Sequence, residues 1–290
     1  MRTPFFIAEV SSNHARDIDR CKKFIETAAR IGCDAVKFQL FRVDELFAPE
    51  ILAKSADHRA RREWELPVSF LPDLKQSCTD NNILFSCTPF YLDAVEELKP
   101  YVDFYKIASY ELPWHDLIAA CAKTGIPTQL STGMADLTEI LSAANAFKSA
   151  GGNDLTLFHC VSGYPAPPAE CNLAAIKTIA DATGLAVGWS DHSRTPAVIE
   201  RAAHKYGAPV IEFHLDLDET GAEYKTGHCW LPDEIEPVIR DIRLSLMADG
   251  DGIKQPTAAE INDRIWRADP SDGVRPMLSM REQWRRGLND

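Results

Sequence analysis

Eight short apolar runs in this chain each end at polar residues that can carry acid–base, metal or anion chemistry. The runs, each with its polar residues, are Phe5–Ala8 with Glu9, Ala35–Val36 with Lys37 and Gln39, Ile83–Phe85 with Ser86 and Thr88, Phe104–Tyr105 with Lys106 and Ser109, Pro127–Leu130 with Ser131 and Thr132, Leu155–Phe158 with His159, Ala186–Trp189 with Ser190, Asp191 and His192, and Pro209–Ile211 with Glu212 and His214. Parallel strands buried on both faces have such continuous apolar sequences, and in a barrel their carboxyl ends meet at one face. The pattern predicts a catalytic mouth built from eight strand ends.

Two of these polar residues, Lys37 and Lys106, lie within apolar sequence. A buried ammonium group without a partner is costly, so each lysine must face a ligand or a carboxylate. Together with the hydroxyl groups of Thr88 and Ser109, the lysines predict a cradle for the phosphate and the carboxylate of a small anionic substrate. Structural ion pairing with the strand-end glutamates is the alternative.

Two histidines, His192 and His214, end consecutive strands of the predicted barrel. Their imidazoles are then about one inter-strand spacing apart, which is about 4.8 Å. With Glu9 and Asp191 nearby, the pair predicts a divalent metal site with open positions for substrate oxygens. A structural, hydrogen-bonded role is the alternative, and His159, which ends the preceding strand, is a weaker candidate ligand.

Segments of helical periodicity separate the apolar runs. In Ile18–Ile31 the apolar residues share one face, and Gly32 follows where a helix C-cap is expected. Further helices are predicted at Leu92–Leu98, Trp114–Lys123, Thr138–Ala150, Leu173–Thr183, Pro196–Tyr206 and Pro232–Met247. This alternation predicts an α/β protein with a (β/α)8 TIM barrel. An open doubly wound sheet is the alternative, but it more often carries a glycine-rich nucleotide loop after its first strand, and residues 9–14 do not form one.

The length of the chain sets its domain organisation. A TIM barrel takes roughly 250 residues, so the 290 residues predict one barrel over residues 1–250 and a polar C-terminal extension over 251–290. Residues 40–82 are long for a single strand–helix unit and predict an insertion over the barrel mouth. Such an insertion can act as a lid or a substrate loop.

Composition excludes several classes of partner. The net charge is −12 and no Lys/Arg-rich block occurs, which argues against nucleic-acid or anionic-membrane binding. An N-terminal signal and a membrane-length apolar run are both lacking, so a cytoplasmic location is expected. The eight cysteines form no CxxC pair, which favours reduced thiols.

The strand-end motifs together resemble those of the sialic acid synthase family, which includes N-acetylneuraminate, legionaminate and pseudaminate synthases and spore-coat polysaccharide relatives. The motifs are Ile7-Ala-Glu9-Val-Ser-Ser-Asn13-His14, Val36-Lys37-Phe38-Gln39, Ser86-Cys-Thr88-Pro89-Phe90, Tyr105-Lys106-Ile-Ala-Ser109, Leu130-Ser-Thr-Gly-Met134, His159-Cys-Val-Ser-Gly-Tyr164-Pro-Ala-Pro, Trp189-Ser190-Asp191-His192 and Ile211-Glu-Phe-His214. The resemblance implies a homodimeric barrel enzyme that condenses phosphoenolpyruvate with an open-chain sugar aldehyde in the presence of Mn²⁺ or Mg²⁺. The products would be phosphate and a 2-keto-3-deoxy acid of the nonulosonic type.

The resemblance also implies roles for individual residues. The implied phosphoenolpyruvate contacts are Lys37, Thr88, Lys106, Ser109, Ser162, Tyr164 and Ser190, and we add Asp191 to the substrate-binding set. The implied metal ligands are His192 and His214. Glu9 and Gln39 match residues near the metal and the aldehyde, and Glu111 matches a carboxylate proposed for acid–base work.

The chain departs from the family pattern in the loops that face the sugar. The usual Asn-His-Asn-Gly reads Asn-His-Ala-Arg at residues 13–16, and the acidic residue expected after the last strand has no clear counterpart in residues 224–228. The C-terminal antifreeze-like (SAF) domain of most members is also not recognised. We therefore expect the insertion or the C-terminal extension to cover the mouth, and an anionic acceptor to meet arginines there, of which the candidates are Arg59, Arg61, Arg62 and Arg281.

Three alternatives to this function stay open. A barrel aldolase could form a Schiff base on a lysine, and a metal-dependent aldolase or epimerase could act without phosphoenolpyruvate. A binding barrel that has lost catalysis would tend to lack one of the charged strand-end residues, and all are present here. Release of phosphate distinguishes the condensation from all three.

Overall fold

The protein is represented by a computed structural model, which describes residues 3–287. Within that range, eight parallel strands pair in chain order and close into a barrel, with β8 paired to β1. The strands are β1 Phe5–Glu9, β2 Ala35–Leu40, β3 Leu84–Pro89, β4 Phe104–Ile107, β5 Thr128–Ser131, β6 Leu155–Cys160, β7 Ala186–Asp191 and β8 Val210–His214. The predicted TIM barrel is confirmed.

Helices alternate with the strands, and helices such as α1 (Ile18–Arg30) that follow a strand directly bury an apolar face. The helices are α1 Ile18–Arg30, α2 Val43–Leu46, α3 Pro49–Lys54, α4 Ala56–Ala60, α5 Leu71–Asp80, α6 Leu92–Leu98, α7 His115–Lys123, α8 Leu137–Ser149, α9 Ala175–Thr183, α10 Pro196–His204, α11 Pro232–Ala248 and α12 Leu278–Arg285. Helix α1 shows why they form where they do. The Asp17 side chain accepts from the backbone N–H groups of Asp19 and Arg20, and the buried face includes Phe24 and Ile25.

The lower interior of the barrel is an apolar layer. It consists of Ile7, Ala35, Phe104 and Phe158, one residue from each of four strands. Side chains alternate between the two faces of a strand, so the residue two positions further along each strand points inward as well. On β1, β2 and β4 those residues are Glu9, Lys37 and Lys106. The fold therefore places the charged side chains directly above an apolar floor.

The insertion contains α2, α3 and α4 and two short 3-10 turns before α5. It contacts the loop after β1, where the Arg16 guanidinium donates to the backbone carbonyl of Arg62 over 2.7 Å. It also closes on itself, since the Val43 N–H donates to the Glu65 carboxylate over 2.7 Å. The insertion thus reaches the loop after β1, and its role as a cover over the mouth stays a prediction.

The arginines that we expected to meet an anionic acceptor have partners within their own segments. Arg59 donates to a backbone carbonyl, Arg61 lies over two aromatic rings, and Arg62 pairs with Asp44. In the C-terminal segment, Arg281 pairs with Asp272 over 2.7 Å. These contacts give the expected anionic acceptor no support.

The chain divides into two compact units, Met1–Met247 and Ala248–Asp290, close to the predicted boundary at residue 250. Each of the eight cysteines is a buried free thiol. A search of the helices in the described part of the chain finds none with the length and apolar character that a membrane crossing requires.

Gly188 in β7 tests how tightly the barrel is packed. A Cβ atom there would lie 2.5 Å from the Val210 carbonyl oxygen and 3.1 Å from the Phe158 ring. We expect Gly188→Ala to lower the free energy of unfolding by about 1–3 kcal/mol because the strands cannot move apart without losing hydrogen bonds. Urea denaturation measures the change. Gly163→Ala, whose Cβ would meet its nearest neighbour at 3.6 Å, is the matched control, and equal stability of both variants would contradict the packing argument.

Candidate active site

A layer of four buried charges lies at the carboxyl ends of the strands. The Lys37 ammonium is 2.7 Å from Glu9 and 3.8 Å from Glu212. The Lys106 ammonium is 3.1 Å from Glu212. Both lysines therefore pair with strand-end glutamates, which is the contact that the structural alternative predicted, and their role as substrate contacts stays a prediction. Glu212 is shared between the two lysines, whereas Glu9 contacts Lys37 alone among them.

The two lysines differ in how well their charges are compensated. Burial works against the charge of Lys37, but Glu212 and Glu9 outweigh it and raise the pKa of that ammonium. Burial lowers the pKa of Lys106, and repulsion by Lys37 adds to the effect while Glu212 opposes it. Burial would raise the pKa of Glu212, but the two lysines dominate and lower it to about 2. Lys106 is thus the cation that an incoming anion would stabilise most.

Hydroxyl and amide groups surround this charged layer. Lys37 donates to the Thr88 hydroxyl over 3.2 Å, and Lys106 donates to the Ser131 hydroxyl over 2.6 Å. The Ser190 hydroxyl donates to Glu212 over 3.2 Å. The remaining predicted residue of the layer, Gln39, donates its side-chain N–H to Glu9 over 2.6 Å.

Next to the lysines, Gly133 leaves room for a group of polar atoms. Its backbone N–H donates to the Ser109 hydroxyl over 3.0 Å, and that hydroxyl lies 3.1 Å from the Cys160 thiol. A Cβ atom on Gly133 would come within 2.4 Å of the Ser162 hydroxyl and 2.8 Å of the Ser109 hydroxyl. The Ser162 hydroxyl is buried and has no hydrogen-bond partner among the residues that the structure describes. An unsatisfied buried hydroxyl is a donor that a bound anion could use.

Glu111 lies in the 3-10 turn Ser109–Glu111 that follows β4. Its side chain is buried, and its Oε2 atom accepts no hydrogen bond within the described residues. Burial raises the pKa of this carboxyl to about 7. A carboxyl with that pKa can both donate and accept a proton near neutral pH.

His192 and His214 come together as predicted, with ring centroids 5.3 Å apart. The Nδ1 atom of His192 is 2.7 Å from the Val161 carbonyl oxygen, which fixes the ring and leaves Nε2 to face a ligand. The Tyr164 ring packs on His192 at 4.2 Å between centroids. The Tyr164 ring therefore lies against His192 and near His214.

A second set of potential ligands surrounds His214. Glu223, His228 and Cys229 lie in the loop after β8, and the donor atoms of all four residues are within 4.8 Å of one another. The sequence analysis found no clear counterpart of the family's acidic residue in residues 224–228, but Glu223, one position before that segment, brings a carboxylate 3.3 Å from His214. The sequence signal was a Glu, a His and a Cys within seven positions, which the motif comparison passed over.

Two other predicted residues serve the scaffold. The Asp191 carboxylate accepts hydrogen bonds from four donors, which are the indoles of Trp189 and Trp230, the Ser193 hydroxyl and the Arg194 N–H. Its oxygens are occupied, so we correct its assignment from a substrate contact to a residue that holds the loop after β7. His159 contacts the Cys171 carbonyl oxygen at 2.9 Å and the Trp189 ring, which fits the structural alternative.

Comparison with known proteins gives the family. The family model described as NeuB family matches residues 24–254. The N,N'-diacetyllegionaminic acid synthase of Campylobacter jejuni is 36% identical over 275 residues, covering 90% of this chain and 81% of that protein. The spore coat polysaccharide biosynthesis protein SpsE of Bacillus subtilis is 31% identical over 270 residues, covering 89% and 71%. The crystal structure of the N-acetylneuraminic acid synthetase of Leptospira borgpetersenii, solved with citrate, has a TM-score of 0.79 and 30% identity, with 90% of each chain covered. The chain therefore belongs to the NeuB family, as its resemblance to the sialic acid synthases predicted.

Proposed function

We propose that this protein condenses phosphoenolpyruvate with the aldehyde carbon of an open-chain sugar and releases phosphate and a 2-keto-3-deoxy acid of the nonulosonic type. Membership of the NeuB family and relatives named as legionaminic and sialic acid synthases support the reaction class. The observation that carries the proposal is the buried, unpartnered Ser162 hydroxyl, which faces the same space beside Gly133 as the Ser109 hydroxyl.

The charged layer and the Ser109 and Ser162 hydroxyls beside Gly133 would hold phosphoenolpyruvate. Lys106 would meet one anionic group of the substrate, and Lys37 with Thr88 the other, through charge-assisted hydrogen bonds. Ser109 and Ser162 would donate to phosphate oxygens. Because the apolar floor and the glutamates fix the lysines, the substrate is oriented without reorganisation of the site.

The reaction would proceed by attack of the enol carbon on the aldehyde carbon, which forms the new carbon–carbon bond. Water then adds to the resulting oxocarbenium carbon. The carbon–oxygen bond to phosphate breaks as the new hydroxyl becomes the keto group and its proton passes to the leaving phosphate. Glu111 would donate its proton to the former aldehyde oxygen and regain one from the attacking water, so its protonation state is restored in each cycle. A divalent ion bound among the histidines around His214 would act as a Lewis acid toward the aldehyde oxygen.

An aldolase that forms a lysine Schiff base is the second candidate. It needs a neutral amine. Glu212 and Glu9 raise the pKa of Lys37 and keep it an ammonium, whereas burial lowers the pKa of Lys106, which makes Lys106 the lysine on which a Schiff base would form. Borohydride trapping of a substrate adduct on either lysine would support the aldolase in place of the condensation.

The direct test is release of inorganic phosphate from phosphoenolpyruvate in the presence of a panel of aldoses, with mass spectrometry of the product. We expect phosphate release only when phosphoenolpyruvate and an acceptor are both present, and loss of turnover after chelation of divalent metal. Turnover of aldoses without phosphate release would point to the aldolase or epimerase, and full turnover in verified metal-free protein would remove the metal from the proposal.

Ser162 tests substrate binding separately from folding, and Lys106 tests it together with the buried ion pair to Glu212. Lys106→Ala should weaken phosphoenolpyruvate binding roughly 10- to 100-fold, because a charge-assisted contact is worth about 1.5–3 kcal/mol. Ser162→Ala should weaken it roughly tenfold with unchanged stability, because that hydroxyl has no hydrogen bond to lose inside the described structure. Calorimetry measures both. The controls are Lys75→Ala, which removes a cation paired with Asp103, and Ser142→Ala on the exposed face of α8. Wild-type affinity in both site variants would assign the lysine to structure alone.

Glu111 should set the pH dependence of turnover. Its carboxyl is protonated below about pH 7 and ionised above it, so loss of the proton donor should lower kcat as the pH rises through about 7. Glu111→Gln should lower kcat roughly 10²- to 10⁴-fold and abolish this titration, while affinity for phosphoenolpyruvate changes little. A pH–rate profile of wild type, Glu111→Gln and the exposed control Glu96→Gln measures this. An unchanged titration in Glu111→Gln would assign it to another group.

A further inference from the structure

The atoms around His214 converge on one point without satisfying one another. The Nδ1 atom of His214 is 3.3 Å from Nε2 of His228 and 3.3 Å from Oε2 of Glu223. Nε2 of His228 is 3.6 Å from the same Glu223 oxygen, and the Cys229 sulfur is 3.8 Å from Nε2 of His228. Within the described residues that Glu223 oxygen accepts no hydrogen bond, although two imidazole nitrogens lie close to it.

These separations match the edges of a tetrahedral metal site. With metal–nitrogen distances of about 2.0 Å and a metal–sulfur distance of about 2.3 Å, neighbouring donor atoms lie about 3.3–3.6 Å apart. The nitrogen and oxygen atoms already have this spacing. The Cys229 sulfur is 3.8 Å from His228 Nε2 and within 4.8 Å of the other two donor atoms, so it closes the tetrahedron after a small shift toward them. Two imidazoles, one carboxylate and one thiol are a donor set that suits Zn²⁺ and fits poorly with Mg²⁺ or Mn²⁺, which prefer oxygen.

The surrounding residues hold the four donors in place. Asn13 donates to the Leu215 carbonyl over 3.0 Å and to the Cys229 sulfur over 3.5 Å, and its side-chain oxygen accepts from the Glu223 N–H over 2.8 Å. The Ser11 hydroxyl donates to the other oxygen of Glu223 over 2.6 Å. This leaves Oε2 to face the cluster. Outer partners of this kind orient metal ligands and tune their basicity.

The geometry points to a zinc-class ion bound by His214, Glu223, His228 and Cys229. On binding, the Cys229 thiol loses its proton to solvent, and Glu223 and the thiolate balance the two charges of the ion. The inference rests on the proposed function only in that both place a divalent ion among the histidines around His214. It replaces the expected pair of His192 and His214, and the expected Mn²⁺ or Mg²⁺, by a site that contains sulfur. The ion would also fasten the loop after β8 to the strand end.

Metal binding to the full chain tests this inference without an activity assay. Chelator-treated protein is reloaded separately with Zn²⁺, Co²⁺, Mn²⁺ or Mg²⁺, desalted, and its metal content measured by plasma mass spectrometry. We expect about one Zn²⁺ or Co²⁺ retained per chain, and Mn²⁺ and Mg²⁺ lost. The cobalt form should show the near-ultraviolet sulfur-to-cobalt charge-transfer absorption of a thiolate ligand.

Cys229→Ser should abolish that absorption and weaken zinc retention by more than the roughly 10- to 100-fold that loss of an outer partner costs. Cys78→Ser, at a buried thiol on α5, is the matched control and should keep both properties. Should Cys229→Ser fail to fold, His228→Gln serves in its place, because it removes one nitrogen ligand and should also reduce zinc retention. Retention of Mn²⁺ without Zn²⁺, or a cobalt spectrum without the sulfur band, would overturn the inference and make the cluster a hydrogen-bonded support for His214. Phosphate release is scored separately, so either proposal can fail alone.

Discussion

The buried layer of Lys37, Lys106, Glu9 and Glu212 is the constraint on which the rest of the site depends. Each charge would be costly inside the barrel by itself, and the four are tolerable only because closure of the sheet brings them within reach of one another. The charged layer lies above the apolar floor, so a substrate site there needs no water-filled space beneath it. The barrel therefore presents fixed ammonium groups at its mouth, which is the preorganisation that binding of a small anion requires.

Two loops complete the site, and they are not independent. The loop after β1 and the loop after β8 interlock through Asn13, and Arg20 joins them again by pairing with Asp216 over 3.0 Å. A Cβ atom on Gly221 would lie 2.5 Å from the Asn13 side chain, so glycine is needed for this approach. A change in either loop should be felt in the geometry of His214, because the donors around it are positioned from both sides.

Several charged residues near the mouth hold loops in place. Asp191 resembles a catalytic acid by its place at a strand end. It accepts hydrogen bonds from the indoles of Trp189 in β7 and Trp230 in the loop after β8, and so connects the two segments. The arginines of the insertion resemble an anion-binding patch, yet Arg62 pairs with Asp44 inside the insertion. The backbone carbonyl of Arg62 accepts a hydrogen bond from Arg16 in the loop after β1. In both cases a charged residue stabilises a loop, which leaves Lys37 and Lys106 as the cations to which we assign anion binding in the proposed function.

The sequence by itself determined the barrel and the strand ends. Continuous apolar runs alternating with helical periodicity are local patterns, and parallel strands must bring their carboxyl ends together, so Lys37, Lys106, His192 and His214 could be placed at one face. Only the tertiary structure decided which groups meet. Lys106 and Glu212 pair across the barrel although they are 106 positions apart, and Glu223 turns toward His214 because Asn13, 210 positions away, holds its backbone. Loop conformation and side-chain direction depend on such distant contacts, which periodicity does not encode. For that reason the acid and the thiol beside His214 emerged only from the folded chain.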